Sequence, residues 1–178
     1  QEETYTWDQL SKQILLREFG DFTWENQFHT GTGMLSKQID IDKQEVDFTY
    51  DQLRRTTNIS ARNGNVTQDF TYSFPSQHSY GRSYVQTTQT FDEPTLASLS
   101  ALRTVETRSY LDGLGREIQN IQIGHDFASQ NDVVNVIKYD NRGRVSKVYE
   151  PFANTTGNGD YYDASLIGKA FTLKEYEI

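Results

Sequence analysis

Carboxylates are the reactive groups this sequence holds in quantity: 25 Asp and Glu against 17 Lys and Arg, 3 His and no cysteine. A glycosidase needs two such acids facing each other across a cleft, but in so acidic a chain some pair meets that distance by abundance alone. Asp40 and Asp42 flank Ile41. On a strand they would share a face and, with a third ligand, could hold Ca²⁺, although the spacing of an EF-hand loop is missing. Glu25 stands four residues before His29, a metal-ligand spacing on a helix, yet Phe22-Thr23-Trp24 reads as strand. His29, His78 and His125 lie far apart and are expected in loops or on the surface. His125 and Asp126 are neighbours, which point to opposite faces of a strand. Gly113 and Gly115, in Asp112-Gly113-Leu114-Gly115-Arg116, look superficially like a nucleotide loop; the further glycine and the following helix pattern are absent. No serine sits in a nucleophile elbow, and the lack of cysteine excludes disulfides, thiolate nucleophiles and zinc–thiolate sites. A solvated polar surface accounts for these residues, and the sequence assigns no catalytic residue, no cofactor and no metal site.

Aromatic side chains offer the other chemistry. Trp7, Trp24, Tyr161 and Tyr162 would stack on sugar rings if they stood open on one face. The competing reading, preferred here, packs them on a sheet as cross-strand pairs that hold register.

The elements that would position these groups are strands. Only 35% of residues are apolar, while 11 Tyr, 10 Phe and 2 Trp accompany abundant Thr, Gln, Asn and Ser, and there is a single Met. That composition suits strands with one dry and one wet face. A formal charge of −8 makes bare nucleic acid a poor partner. No apolar run reaches the length of a membrane span, and the opening Gln1-Glu2-Glu3-Thr4-Tyr5 does not read as a signal peptide.

Along the chain, Val66, Gln68, Phe70, Tyr72 and Phe74 alternate with Thr67, Asp69, Thr71 and Ser73, and Val46, Phe48 and Tyr50 alternate with polar residues. Both patterns predict half-buried strands. Asn63-Gly64 suits a tight hairpin turn between strands. Val133 to Tyr139 predicts another strand, Asp140-Asn141-Arg142-Gly143 a turn, and Arg144 to Tyr149 the return, stopped by Pro151. A short helix is expected over 94–102, where Leu96, Leu99 and Leu102 recur after Pro94, and 154–160 reads as loop.

A repeat runs through this pattern. Thr6-Trp7-Asp8-Gln9-Leu10 returns as Thr49-Tyr50-Asp51-Gln52-Leu53, and Phe22-Thr23-Trp24 returns as Phe70-Thr71-Tyr72. Its sharpest forms are Tyr110-Leu111-Asp112-Gly113-Leu114-Gly115-Arg116 and Tyr139-Asp140-Asn141-Arg142-Gly143-Arg144. In each, the Tyr ends a strand, the Asp accepts N–H bonds within the turn, the Gly takes the left-handed conformation, and the Arg opens the return strand where it meets the Asp. Tyr50-Asp51 carries Arg54 where the glycine is expected and Arg55 in the arginine place. Trp7-Asp8 has Ser11 and Lys12 there. Loss of the glycine leaves the turn geometry of those two units open.

These strings resemble the RHS/YD-repeat proteins. Residues 110–152 are in addition similar to an uncharacterised bacterial domain found near the N-terminal side of YD arrays. The resemblance implies a degenerate repeat region over 1–108 and a YD-repeat domain over 109–178. It implies an all-β fold of antiparallel hairpins forming a curved sheet or part of a β-shell. It also implies a non-catalytic scaffold in a large secreted or cell-surface bacterial protein, whose shell encloses a toxin or effector. The expected partners are the rest of the parent chain, an enclosed effector or a surface glycan. A carbohydrate or cell-surface binding module is the alternative.

Overall fold

In the computed structural model of the chain, residues 2–8, 13–61, 66–77, 81–91, 103–124, 131–155, 159–162, 166 and 168–174 are described. The helix expected over 94–102, the Asn63-Gly64 turn, His78 and His125-Asp126 lie outside them. Every described regular element is a strand apart from a 3₁₀ turn at Pro75–Gln77, and among the described residues no helix is long and apolar enough to cross a membrane. The fold is all-β and antiparallel, as the alternation predicts. Fourteen strands hydrogen-bond in chain order, except that β13 sits on β11 and β14 takes the place beside β12. The chain forms two compact units, Gln1–Asp69 with Gln89–Arg103, and Phe70–Thr88 with Thr104–Ile178.

The first unit holds β1 (Glu3–Trp7), β2 (Ile14–Phe19), β3 (Phe22–Phe28), β4 (Leu35–Ile39), β5 (Glu45–Tyr50) and β6 (Thr56–Ala61). It also takes the start of β7 (Val66–Ser73) and the end of β8 (Ser83–Phe91). Register divides its sheet into two unlike faces, because directly opposed residues share a face and neighbours along a strand do not. Tyr5, Arg17 and Trp24 stand opposite one another, as do Phe19 and Phe22. Asn26, Gln38, Val46, Ala61 and Val66 carry the same face onward, with Phe48 opposite Ile59. The other face is polar. Lys37 pairs with Glu45 and, at 3.4 Å, with Asp47, Thr49 bonds Thr57 at 2.9 Å, and Asn58 bonds Asp69 at 2.7 Å.

Among the described residues, none covers the apolar face of this unit. No described residue of the unit is buried, and Trp7 and Phe22 are each 51% exposed, with Tyr5 and Phe19 close behind. Arg17 ion-pairs with Glu3 and lays its guanidinium 4.9 Å from the Trp24 ring.

The second unit is built from the rest of β7 and β8, with β9 (Arg103–Leu111), β10 (Glu117–Ile123), β11 (Asp132–Tyr139), β12 (Val145–Tyr149), β13 (Phe152–Asn154) and β14 (Phe171–Leu173). Here one face is dry. Tyr110, Ile121, Val134 and Val136 are buried and form the core. Tyr84, Tyr149, Phe152, Tyr161, Tyr162 and Leu166 pack against it, so residues 159–162 and Leu166 supply a cover made from the chain itself. At about 25 cal/mol per Å² of apolar area, that cover separates this unit energetically from the first.

Candidate functional site

Three hairpins close through one and the same device. At 51–55, 112–116 and 140–144 the aspartate N–H donates to the arginine carbonyl, and the N–H of the residue before the arginine donates back to the aspartate carbonyl. The Asp Oδ1 accepts from the N–H groups two and four residues on, at 2.8–3.0 Å. Its Oδ2 accepts from the arginine Nε at 2.7–2.8 Å. A three-residue loop of this kind needs a left-handed residue just before the return strand. Gly115 and Gly143 supply it with φ of 77° and 81°. Each aspartate carboxyl is held below its ordinary range, chiefly by the arginine N–H and with the guanidinium contributing.

The unit at Tyr50-Asp51 keeps the turn without its glycine. Its geometry is intact because Arg54 itself adopts φ 64°, a conformation that costs a residue with a Cβ about 1–2 kcal/mol. A fourth copy stands at 40–44. Asp40 Oδ1 accepts from the N–H groups of Asp42 and Gln44, both at 2.9 Å, and Lys43 takes φ 59°. Asp40 and Asp42 therefore belong to a turn rather than to one face of a strand, which removes the basis for pairing them on Ca²⁺. At Trp7-Asp8 the Asp8 N–H donates to the Gln13 carbonyl at 2.9 Å.

The glycines make a quantitative prediction. Gly143→Ala is expected to destabilise by about 1–2 kcal/mol from backbone strain and further because its Cβ would stand 2.8 Å from Arg116 Nη1. Gly115→Ala meets nothing within 4 Å and keeps only the backbone cost. Arg54→Gly should stabilise, by up to about 1 kcal/mol after the entropy of glycine is subtracted. Urea unfolding of the three variants checks the order.

Successive repeats interlock through their tyrosines. Tyr139 donates its hydroxyl to the Glu117 carbonyl at 2.8 Å, and the Arg116 guanidinium lies 4.3 Å from its ring centre. Tyr50 likewise reaches back to the Leu35 carbonyl at 2.8 Å. Tyr110 does not belong to this set. The residue immediately before Asp112 is Leu111, so Tyr110 points to the opposite face of β9, into the core.

That face carries the most elaborate polar arrangement of the molecule. Tyr110 donates its hydroxyl to the Gly159 carbonyl at 2.9 Å. Asp132, fully buried, accepts the Gly159 N–H at 2.7 Å and the Gly124 N–H at 3.1 Å. Gln119, also buried, accepts the Tyr162 N–H at 2.8 Å and donates to the Tyr162 carbonyl at 3.2 Å. Three side chains thus read the backbone of 159–162 as a neighbouring strand would, and they fasten the cover to the sheet. Gly159 takes φ 70°, and a Cβ there would run into the Ile123 side chain. Burial raises the Tyr110 hydroxyl to about 12.

Gln119 and Asp132 went unremarked in the sequence. The signal was parity, since 119, 121, 123 and 132, 134, 136 place each polar residue in the apolar register of its strand. The aromatics proposed for stacking are dispersed. Tyr161 packs edge-on against Tyr110 at 5.3 Å and beneath Arg82 at 4.8 Å, and Tyr162 packs against Phe152 at 5.0 Å. Trp24 carries Arg17, while Trp7 stands open beside Tyr5, ring centres 6.3 Å apart.

Glu25 lies on β3 and His29 beyond its end, so the four-residue interval is extended chain and cannot converge on a metal. Among the described residues no three His, Asp or Glu gather to hold one. A groove of about 560 Å³, within the range of small-molecule clefts, does open beside the 51–55 turn, lined by His29, Thr30, Thr32, Met34, Tyr50 and Arg54 among others.

Residues 82–176, more than half of the chain, match a family described as a domain of unknown function, DUF6443. No curated protein matches the chain.

Proposed function

The chain belongs to the DUF6443 family, and on that premise we propose that it is a non-catalytic scaffold segment of a large secreted or cell-surface bacterial protein of the RHS/YD-repeat kind. It contributes strands to a β-shell that encloses a toxin or effector. The uncovered apolar face of the first unit carries this reading. A sheet that leaves Tyr5, Trp7, Phe19 and Phe22 exposed gains little from folding alone, whereas further chain laid against it would bury them, as Tyr161, Tyr162 and Leu166 cover the core of the second unit. The repeated Asp–Arg turns support the same reading, because in each the aspartate and the following arginine bond one another and close a hairpin.

The coding sequence on either side of this segment tests the reading. Further Tyr-Asp turns of the 140–144 pattern are expected there, and their absence from both sides would overturn it. A second reading, a carbohydrate or cell-surface binding module, draws on the openness of Trp7. Saturable glycan binding that disappears in Trp7→Ala would favour it over the scaffold.

A further inference from the structure

We propose that the groove beside Arg54 binds an oxyanion, the phosphate or carboxylate of a small hydroxylated molecule. The other two Asp–Arg turns place glycine in the left-handed position, Gly115 and Gly143, and this turn places an arginine there at φ 64°. Strain alone makes no site: Lys43 adopts φ 59° in the 40–44 turn. Arg54 differs in what surrounds it. It lines the groove with His29, Thr30, Thr32, Met34 and Tyr50. Among the described residues no hydrogen bond, ion pair or ring contact engages its guanidinium.

Asp51 also lines the groove, but its carboxylate is taken up by its own turn. Asp51 gives Oδ1 to the Leu53 and Arg55 N–H groups and Oδ2 to the Arg55 guanidinium. The rest of the lining offers donors. Thr32 Oγ1 accepts the Met34 N–H at 3.4 Å, which leaves its own proton to give. Tyr50 has committed its hydroxyl to the Leu35 carbonyl, so its ring is a wall, with the His29 ring edge-on to it at 6.0 Å. A guanidinium, threonine hydroxyls and an imidazole around an apolar floor suit a planar or tetrahedral oxyanion, which arginine takes in a two-pronged bond. The formal charge of −8 opposes anion entry, so the affinity is modest and is best read at physiological ionic strength, where that field is screened.

The test is an amide-shift NMR titration of the full chain with inorganic phosphate and, separately, glucuronate. Saturation at about 1–10 mM with at least one of the two is expected, with shifts centred on 29–34 and 49–55. A response to phosphate alone or to glucuronate alone identifies which group the site takes. Arg54→Gly should lose at least ~10-fold in affinity while unfolding at higher urea, which separates lost binding from lost fold. Arg54→Gln keeps the strain, removes the charge and should lose the same. No saturation with either probe up to about 50 mM, or unchanged affinity in both variants, would overturn the proposal.

Discussion

Replacing Tyr110 with alanine is expected to destabilise the second unit by about 3–5 kcal/mol, the range for removing a buried aromatic ring. The ring is fully buried and packs against Tyr84 at 5.2 Å and Tyr161 at 5.3 Å, so the cavity would open between the sheet and its cover. Tyr110→Phe keeps the ring and leaves the Gly159 carbonyl without its donor, at about 1–2 kcal/mol. The hydroxyl also sets an alkaline limit. Its pKa is raised in the fold to about 12, against about 10 in an unfolded chain. The folded form therefore keeps its proton where the unfolded form has lost it. This contribution is complete below pH 10 and disappears as pH climbs towards 12. Urea midpoints measured from pH 8 to pH 11 should fall more steeply for the wild type than for Tyr110→Phe. Parallel slopes would contradict the burial of the hydroxyl.

Asp132→Ala comes next, at about 2–4 kcal/mol, from the loss of two bonds to a charged acceptor. The Gly159 N–H is left buried with no partner, while the exposed Gly124 N–H turns to water. Asp132→Asn is the sharper variant. An amide of the same shape accepts at one end only, and its NH₂ would face one of the two N–H donors. It should therefore recover little of the loss. Hydrogen exchange at Gly159 and Tyr162 reports the effect directly, since the cover would open while the β9–β11 ladder stays protected. An Asn variant as stable as the wild type would show that Asp132 does not fasten the cover.

Alternation made the strands readable in advance. Val46, Phe48 and Tyr50 lie in β5, the alternation from Val66 to Ser73 is β7, and the strand from Val133 to Tyr139 is β11 with Asp132 added. The 140–144 turn was legible for the same local reason: an Asp, a Gly and an Arg at fixed offsets determine its bonds. Two features were hidden. In Tyr110-Leu111-Asp112 one added residue exchanges the faces, so a similar string hides a tyrosine that serves the core. The 40–44 turn lacks both Tyr and Gly, and only the backbone shows it to be the same device. The cover was beyond reach because Gly159, Asp132, Gln119 and Tyr110 are brought together by sheet register across as much as 49 residues, which no local pattern encodes.

The scaffold reading stands or falls on what becomes of the open face of the first unit. Hydroxyl-radical footprinting of Tyr5, Trp7, Phe19 and Phe22 measures this in two samples, the 178-residue chain alone and the larger parent protein that the scaffold reading requires. The account predicts rapid oxidation of all four in the chain alone and protection of the group in the parent, with Tyr110 protected in both. Equal oxidation in the two samples would contradict it, for the face would then be open surface in the parent too.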